Sequence, residues 1–81
     1  MLTASQYLEL VQDRRRQNLD RITTKIGSQV EAARKMGMDK CQLSNILGGR
    51  LAVSEYRARR TEQFLGLEFG ALDQPVGGDH A

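Results

Sequence analysis

Apolar residues return along this chain at three- and four-residue intervals, the period of one face of an α-helix. Leu8, Val11, Leu19, Ile22 and Ile26 form the first such series. It is interrupted at Arg14, Arg15 and Arg16, so it reads either as one long helix or as two pieces meeting there. Thr3 and Gln6 have capping-box spacing and open the series; Gly27 ends it. Ser28 with Glu31 is a second capping box, opening a helix that runs through Met36 and closes at Gly37. Asp39 with Gln42 opens a third, reaching Leu47 before Gly48 and Gly49. Ser54 caps a fourth that runs to Leu65 and closes at Gly66. A last short helical turn is expected over Phe69 to Leu72. No segment alternates apolar and polar positions with β-branched enrichment, so no strand is expected.

The resulting class is all-α, four to five helices in one compact domain over residues 1–74. Residues 1–13 extend the first helix, and 75–81 form a flexible tail, where Pro75 and the Gly77-Gly78 pair oppose helix. The expected core is Leu19, Ile22, Ile26, Ala33, Met36, Leu43, Ile46, Val53, Ala58 and Leu65. Two apolar groups are left over for a partner surface: Tyr7, Leu8 and Val11 at one end, and Phe64, Leu67, Phe69 and Leu72 at the other. A chain of 81 residues has room for one small core and none for a barrel or a full dinucleotide fold.

Charge changes the picture more than composition does. The net charge is +2, but all twelve Lys and Arg residues fall between Arg14 and Arg60, with only four acids among them. The flanks hold the other six acids and no cation. A basic centre of this kind points to a polyanion partner, or else is simply a solvated surface. Cys41 is the only cysteine and His80 the only histidine. A disulfide framework is excluded, a metal site lacks ligands, and a reducing compartment is expected. No run is long and apolar enough for a membrane span, and the cytoplasm is the expected location.

The central constellation is Gln29 to Leu47. Two helices of two to three turns joined only by Gly37, Met38 and the cap Asp39 must cross steeply. Such a crossing needs small residues where the axes approach, a glycine in the turn and apolar residues facing inward. Ala32 and Ala33, then Gly37, then Met36, Met38, Leu43 and Ile46 supply them.

The run from Gln29 to Gly48 resembles the helix-turn-helix of the phage-repressor, Cro-like (xenobiotic-response-element) family. That family's pattern places Gln first, Ala fifth, Gly ninth and an aliphatic fifteenth, met here by Gln29, Ala33, Gly37 and Leu43. Asn18-Leu19-Asp20-Arg21 is similar to the family's first helix. Gly49-Arg50, Val53-Ser54, Ala58-Arg59, Leu65-Gly66-Leu67 and Leu72-Asp73 resemble its downstream half, so the likeness covers about Arg16 to Pro75. Thr61 departs from the usual aliphatic and Ala71 from a frequent aromatic. The resemblance implies a lambda-repressor-like DNA-binding domain with the third helix in the major groove.

In that geometry Lys40, Cys41, Ser44 and Asn45 face the bases. Lys40 donates to guanine or, equally, to a phosphate; Asn45 pairs with adenine or plays a local role; Ser44 tolerates several bases; Cys41 touches a thymine methyl. Gln29 matches the family's phosphate-binding glutamine. Arg50 and the run Arg14, Arg15 and Arg16 are phosphate candidates, although three successive residues cannot all face one way. Arg57, Arg59 and Arg60 divide similarly, with Arg59 paired to Glu55 or Glu62 as its alternative. One reading helix covers few base pairs, so a homodimer on two half-sites about one turn apart, ~34 Å, is expected.

The expected function is therefore a dimeric transcriptional repressor of phage or mobile-element type, without cofactor, metal or small-molecule effector, acting on double-stranded DNA. The alternative is an antitoxin-like module of the same fold that neutralises a protein partner. Catalysis is not expected: Cys41 has no base within reach, and no carboxylate pair sits on a rigid element. RNA binding lacks an aromatic on the reading helix.

Overall fold

Cap residues and glycines divide the chain as the pattern predicts. The computed structural model describes residues 1–75. It consists of α1 (Ala4–Ile26), α2 (Gln29–Met36), α3 (Lys40–Leu47), α4 (Glu55–Leu65) and a 3-10 turn (Ala71–Asp73). Among the described residues there is no strand. No helix is long and apolar enough to cross a membrane. The tail expected at 75–81 lies, from residue 76 onward, outside the described residues.

Each helix begins where a side chain satisfies a free backbone N–H. The Gln6 N–H donates to Thr3 Oγ1 at 3.1 Å, and the Gln6 amide oxygen accepts from the Thr3 N–H. Asp39 closes the same two-way box on α3, whereas Ser28 and Ser54 cap α2 and α4 by accepting from the Glu31 and Arg57 N–H alone; the box expected at Ser28 is not completed, because the Glu31 carboxylate pairs with Arg34. The arginine run does not interrupt α1, which continues for 23 residues to Gly27. The last turn forms at Ala71–Asp73, two residues later than expected. Gly70 before it has φ 86°, a conformation that excludes a helical start at Phe69.

Leu19 of α1, Ala32, Ala33 and Met36 of α2, Met38 in the turn after it, Leu43 and Ile46 of α3, Val53, Ala58 of α4 and Leu72 form the buried core. Ile22, Ile26 and Leu65, expected inside it, are half-buried at its margin. Val11 and Leu72, expected on a partner surface, are buried instead. Leu72 is drawn in because the 3-10 turn packs back on α1 and α4. Thr61 takes the buried position where an aliphatic is usual and is 1% exposed.

A polar seam on α1 ties the distant segments together. Gln12 exchanges both of its amide hydrogen bonds with the Val53 backbone, each at 2.8 Å. Arg15 Nη1 donates to the same Val53 carbonyl at 2.7 Å. The rest of that guanidinium grips Asp73 (2.7 and 3.1 Å) and Glu55 (2.8 Å). Asn18 donates to the carbonyls of Leu72 and Gln74, both at 2.9 Å.

A second cluster closes the C-terminal side. Glu62 is buried and accepts from the N–H groups of Gly70 and Leu72 at 3.0 and 2.9 Å. Arg59 reaches Glu62 at 3.0 Å, Asp73 at 3.0 Å and Glu55 at 3.5 Å, and its guanidinium lies over the Phe69 ring. The expected Arg59 pairing with Glu55 and Glu62 is thus present.

Burial pushes the Asp73 carboxyl up, but the hydrogen bonds and charges of Arg15 and Arg59 outweigh it and hold the group below its ordinary value. The Asp73 hydrogen bond raises Arg15 in turn, against the cost of burial. A depressed carboxyl stabilises the fold above its ordinary value near 3.8 and stops doing so as pH falls through the lower folded value. Chemical denaturation of Arg15→Ala at neutral pH is expected to show a loss of about 2 kcal/mol, from the buried guanidinium's hydrogen bonds to acceptors that keep Arg59 or Gln12 as a second partner. Asp73→Asn is expected to be destabilised at neutral pH and to lose stability less steeply than wild type below about pH 4. An acid limb as steep as wild type in Asp73→Asn contradicts the assignment.

Candidate functional site

α3 forms because Asp39 and Gln42 close a complete capping box. The Gln42 N–H donates to Asp39 Oδ1 at 2.8 Å, and the Asp39 N–H donates to Gln42 Oε1 at 3.3 Å. Leu43 and Ile46 turn into the core and fix which face looks out. Lys40, Cys41 and Asn45 are exposed and Ser44 is half-buried; the four line one shallow, open depression. The four residues singled out in the sequence are therefore adjacent on a single outward face.

The approach to α3 depends on Gly37. It has φ 73°, and a Cβ there would stand 2.5 Å from the Phe64 ring. Phe64, expected on a free apolar surface, is half-engaged: it covers Gly37 and sits beneath Arg60, whose guanidinium lies 5.5 Å from the ring centre. The exit from α3 is fixed at Val53 by Gln12 and Arg15, so the chain is held by tertiary contacts on either side of the helix.

The cations expected around this face have separate fates. Arg15 is 6% exposed and wholly engaged with Glu55, Asp73 and Val53. It is a structural clamp, which corrects its expected place among the phosphate ligands: releasing it would break its bonds to Val53, Glu55 and Asp73 at once. Arg16 pairs with Asp13 at 3.0 Å, and its Nη1 lies beside Gly49 in the loop after α3. Arg14 is half-buried on α1. Arg50 is exposed and folds back over the end of α3, donating from Nε to Asn45 Oδ1 at 3.1 Å. Gln29 is exposed on the first turn of α2, just after the Ser28 cap.

Of the twelve cations, Arg15, Arg16, Arg34 and Arg59 pair with carboxylates among the described residues. Lys40 and Arg50 on and beside the α3 face have no such partner among them. The face is thus cationic at both ends, with small and amide side chains between. No group of three or more His, Cys, Asp or Glu residues able to hold a metal occurs among the described residues. Comparison with family models, curated proteins and solved structures gave no match.

Gln12, Asn18 and Glu62 carry structural roles that the sequence did not announce. The one available signal is that Gln12, Arg15 and Asn18 repeat every three residues between the buried Val11 and Leu19. Gly37→Ala is expected to cost about 1–2 kcal/mol in thermal or chemical unfolding, the penalty of a left-handed non-glycine residue, with further loss from displacing Phe64. Wild-type stability in that variant contradicts the role of Gly37 as the fixed turn before α3.

Proposed function

We propose that this chain is a sequence-specific DNA-binding regulator in which α2 and α3 act as a helix-turn-helix and α3 enters the major groove. One observation carries the reading: Lys40, Cys41, Ser44 and Asn45 stand together on the outward face of α3 while Leu43 and Ile46 anchor the opposite face. An α-helix with its side chains is about 10–12 Å across, which fits a B-form major groove about 12 Å wide. Its side chains offer donors, an acceptor and small apolar surfaces, which is the chemistry of base edges.

Arg16, Arg50, Arg14 and Gln29 are the phosphate set, positioning the helix without reading sequence. The surplus of unpaired cations in the central segment adds a salt-dependent attraction to the duplex. Binding as a two-fold pair on a palindromic operator, with repression by occupying a promoter, completes the proposal. The exposed Leu2 ahead of α1, with Tyr7 and Leu8 on its first turns, favours a second reading, an antitoxin-like contact with a protein partner.

Selection from a random duplex pool is expected to return a symmetric consensus, with sedimentation giving two chains per duplex. Asn45→Ala is expected to lose about 1–3 kcal/mol of discrimination at one base pair per half-site. A pool that returns no consensus, together with a stoichiometric protein partner in purification, supports the second reading against the first.

A further inference from the structure

Gly27, Gly37 and Gly66 close their helices at positive φ, where glycine is the natural occupant. Gly48 closes α3 at φ −82°, which any residue adopts. Its missing side chain serves space instead. A Cβ at Gly48 would stand 2.6 Å from Arg50 Nη1 and 2.8 Å from its Cζ and Nη2. The guanidinium fills that space and lies across the last turn of α3. Nε donates to Asn45 Oδ1 at 3.1 Å, Nη2 reaches the Ser44 carbonyl at 3.4 Å, and the Arg50 backbone N–H donates to the Asn45 carbonyl at 2.9 Å. A cation at the C-terminal end of a helix is also favoured by the helix dipole.

This arrangement has a consequence for the side chain it touches. An asparagine reads adenine by presenting its amide oxygen and nitrogen side by side to the base edge. Here Oδ1 is turned to Arg50, and Nδ2, which only donates, is the free end of the amide. Guanine is the base whose groove edge offers two acceptors, N7 and O6, and no donor. We infer that Arg50, seated over Gly48, is a positioning residue that holds the Asn45 amide as a donor and so directs it to guanine instead of adenine. The inference rests on the DNA-binding reading and adds to it the base and the residue that sets the choice.

The test compares base preference among variants selected on the same random duplex pool. Gly48→Ala keeps every charge and polar group, and its methyl displaces the guanidinium. Arg50→Lys keeps the charge and lacks the Nε–H. Asn45→Ala identifies the base pair concerned, since preference there disappears. The wild type is expected to select guanine at that pair. In both Gly48→Ala and Arg50→Lys the guanine-over-adenine preference is expected to fall by about fivefold or more, with preferences elsewhere in the half-site unchanged. Adenine at that pair in the wild type, or the wild-type preference retained in both variants, overturns the inference and leaves the DNA-binding reading standing. A wild-type protein that selects no sequence overturns both.

Discussion

The buried guanidinium of Arg15 is where four parts of this chain meet. It leaves α1, bonds the Val53 carbonyl in the loop after α3, and pairs with Glu55 at the start of α4 and with Asp73 in the 3-10 turn. In a domain this small the apolar core alone leaves a narrow margin of stability. The clamp supplies something the core does not: it sets where the loop after α3 runs, because Val53 is held on both its N–H and its carbonyl. The cost of burying the charge is offset by saturating the guanidinium with carboxylate and carbonyl oxygens.

The outward face of α3 follows from that framework. Leu43 and Ile46 settle its rotation, Gly37 and Phe64 its entry, and the Val53 clamp its exit. The side chains left outside are short or unpaired, so they are available to a ligand without first breaking an internal bond; Asn45 is the exception, already engaged with Arg50. Division of labour among the arginines is the economy behind this. Arg15 and Arg59 neutralise the internal carboxylates, and the surplus cations remain at the surface.

Much of this was legible in the residues. Thr3, Ser28, Asp39 and Ser54 mark helix starts, Gly27, Gly37 and Gly66 mark helix ends, and each signal is local, so no tertiary information is needed to read it. The adjacency of Lys40, Cys41, Ser44 and Asn45 follows from helical period alone. Arg15 was not legible, because a run of three arginines looks like solvated charge and its main partner, Asp73, lies 58 residues away. Glu62 was hidden for the same reason: its partners are backbone N–H groups of a turn that exists only after folding. Pattern alone puts Val11 and Leu72 at the surface, because the return of the 3-10 turn onto α1 leaves no periodic trace. In the sequence Gly48 is ordinary helix punctuation; its φ of −82° and the Arg50 guanidinium lying over it are visible only in the fold.

The most direct measurement is the backbone amide spectrum of the isotope-labelled protein titrated with a duplex drawn from the selected pool. The account predicts that shifts concentrate on α3, on Arg50 and Gly49, and at the start of α2, with the Arg15–Asp73 clamp region unmoved. Shifts confined to the first turns of α1, with Lys40 to Asn45 silent, contradict it.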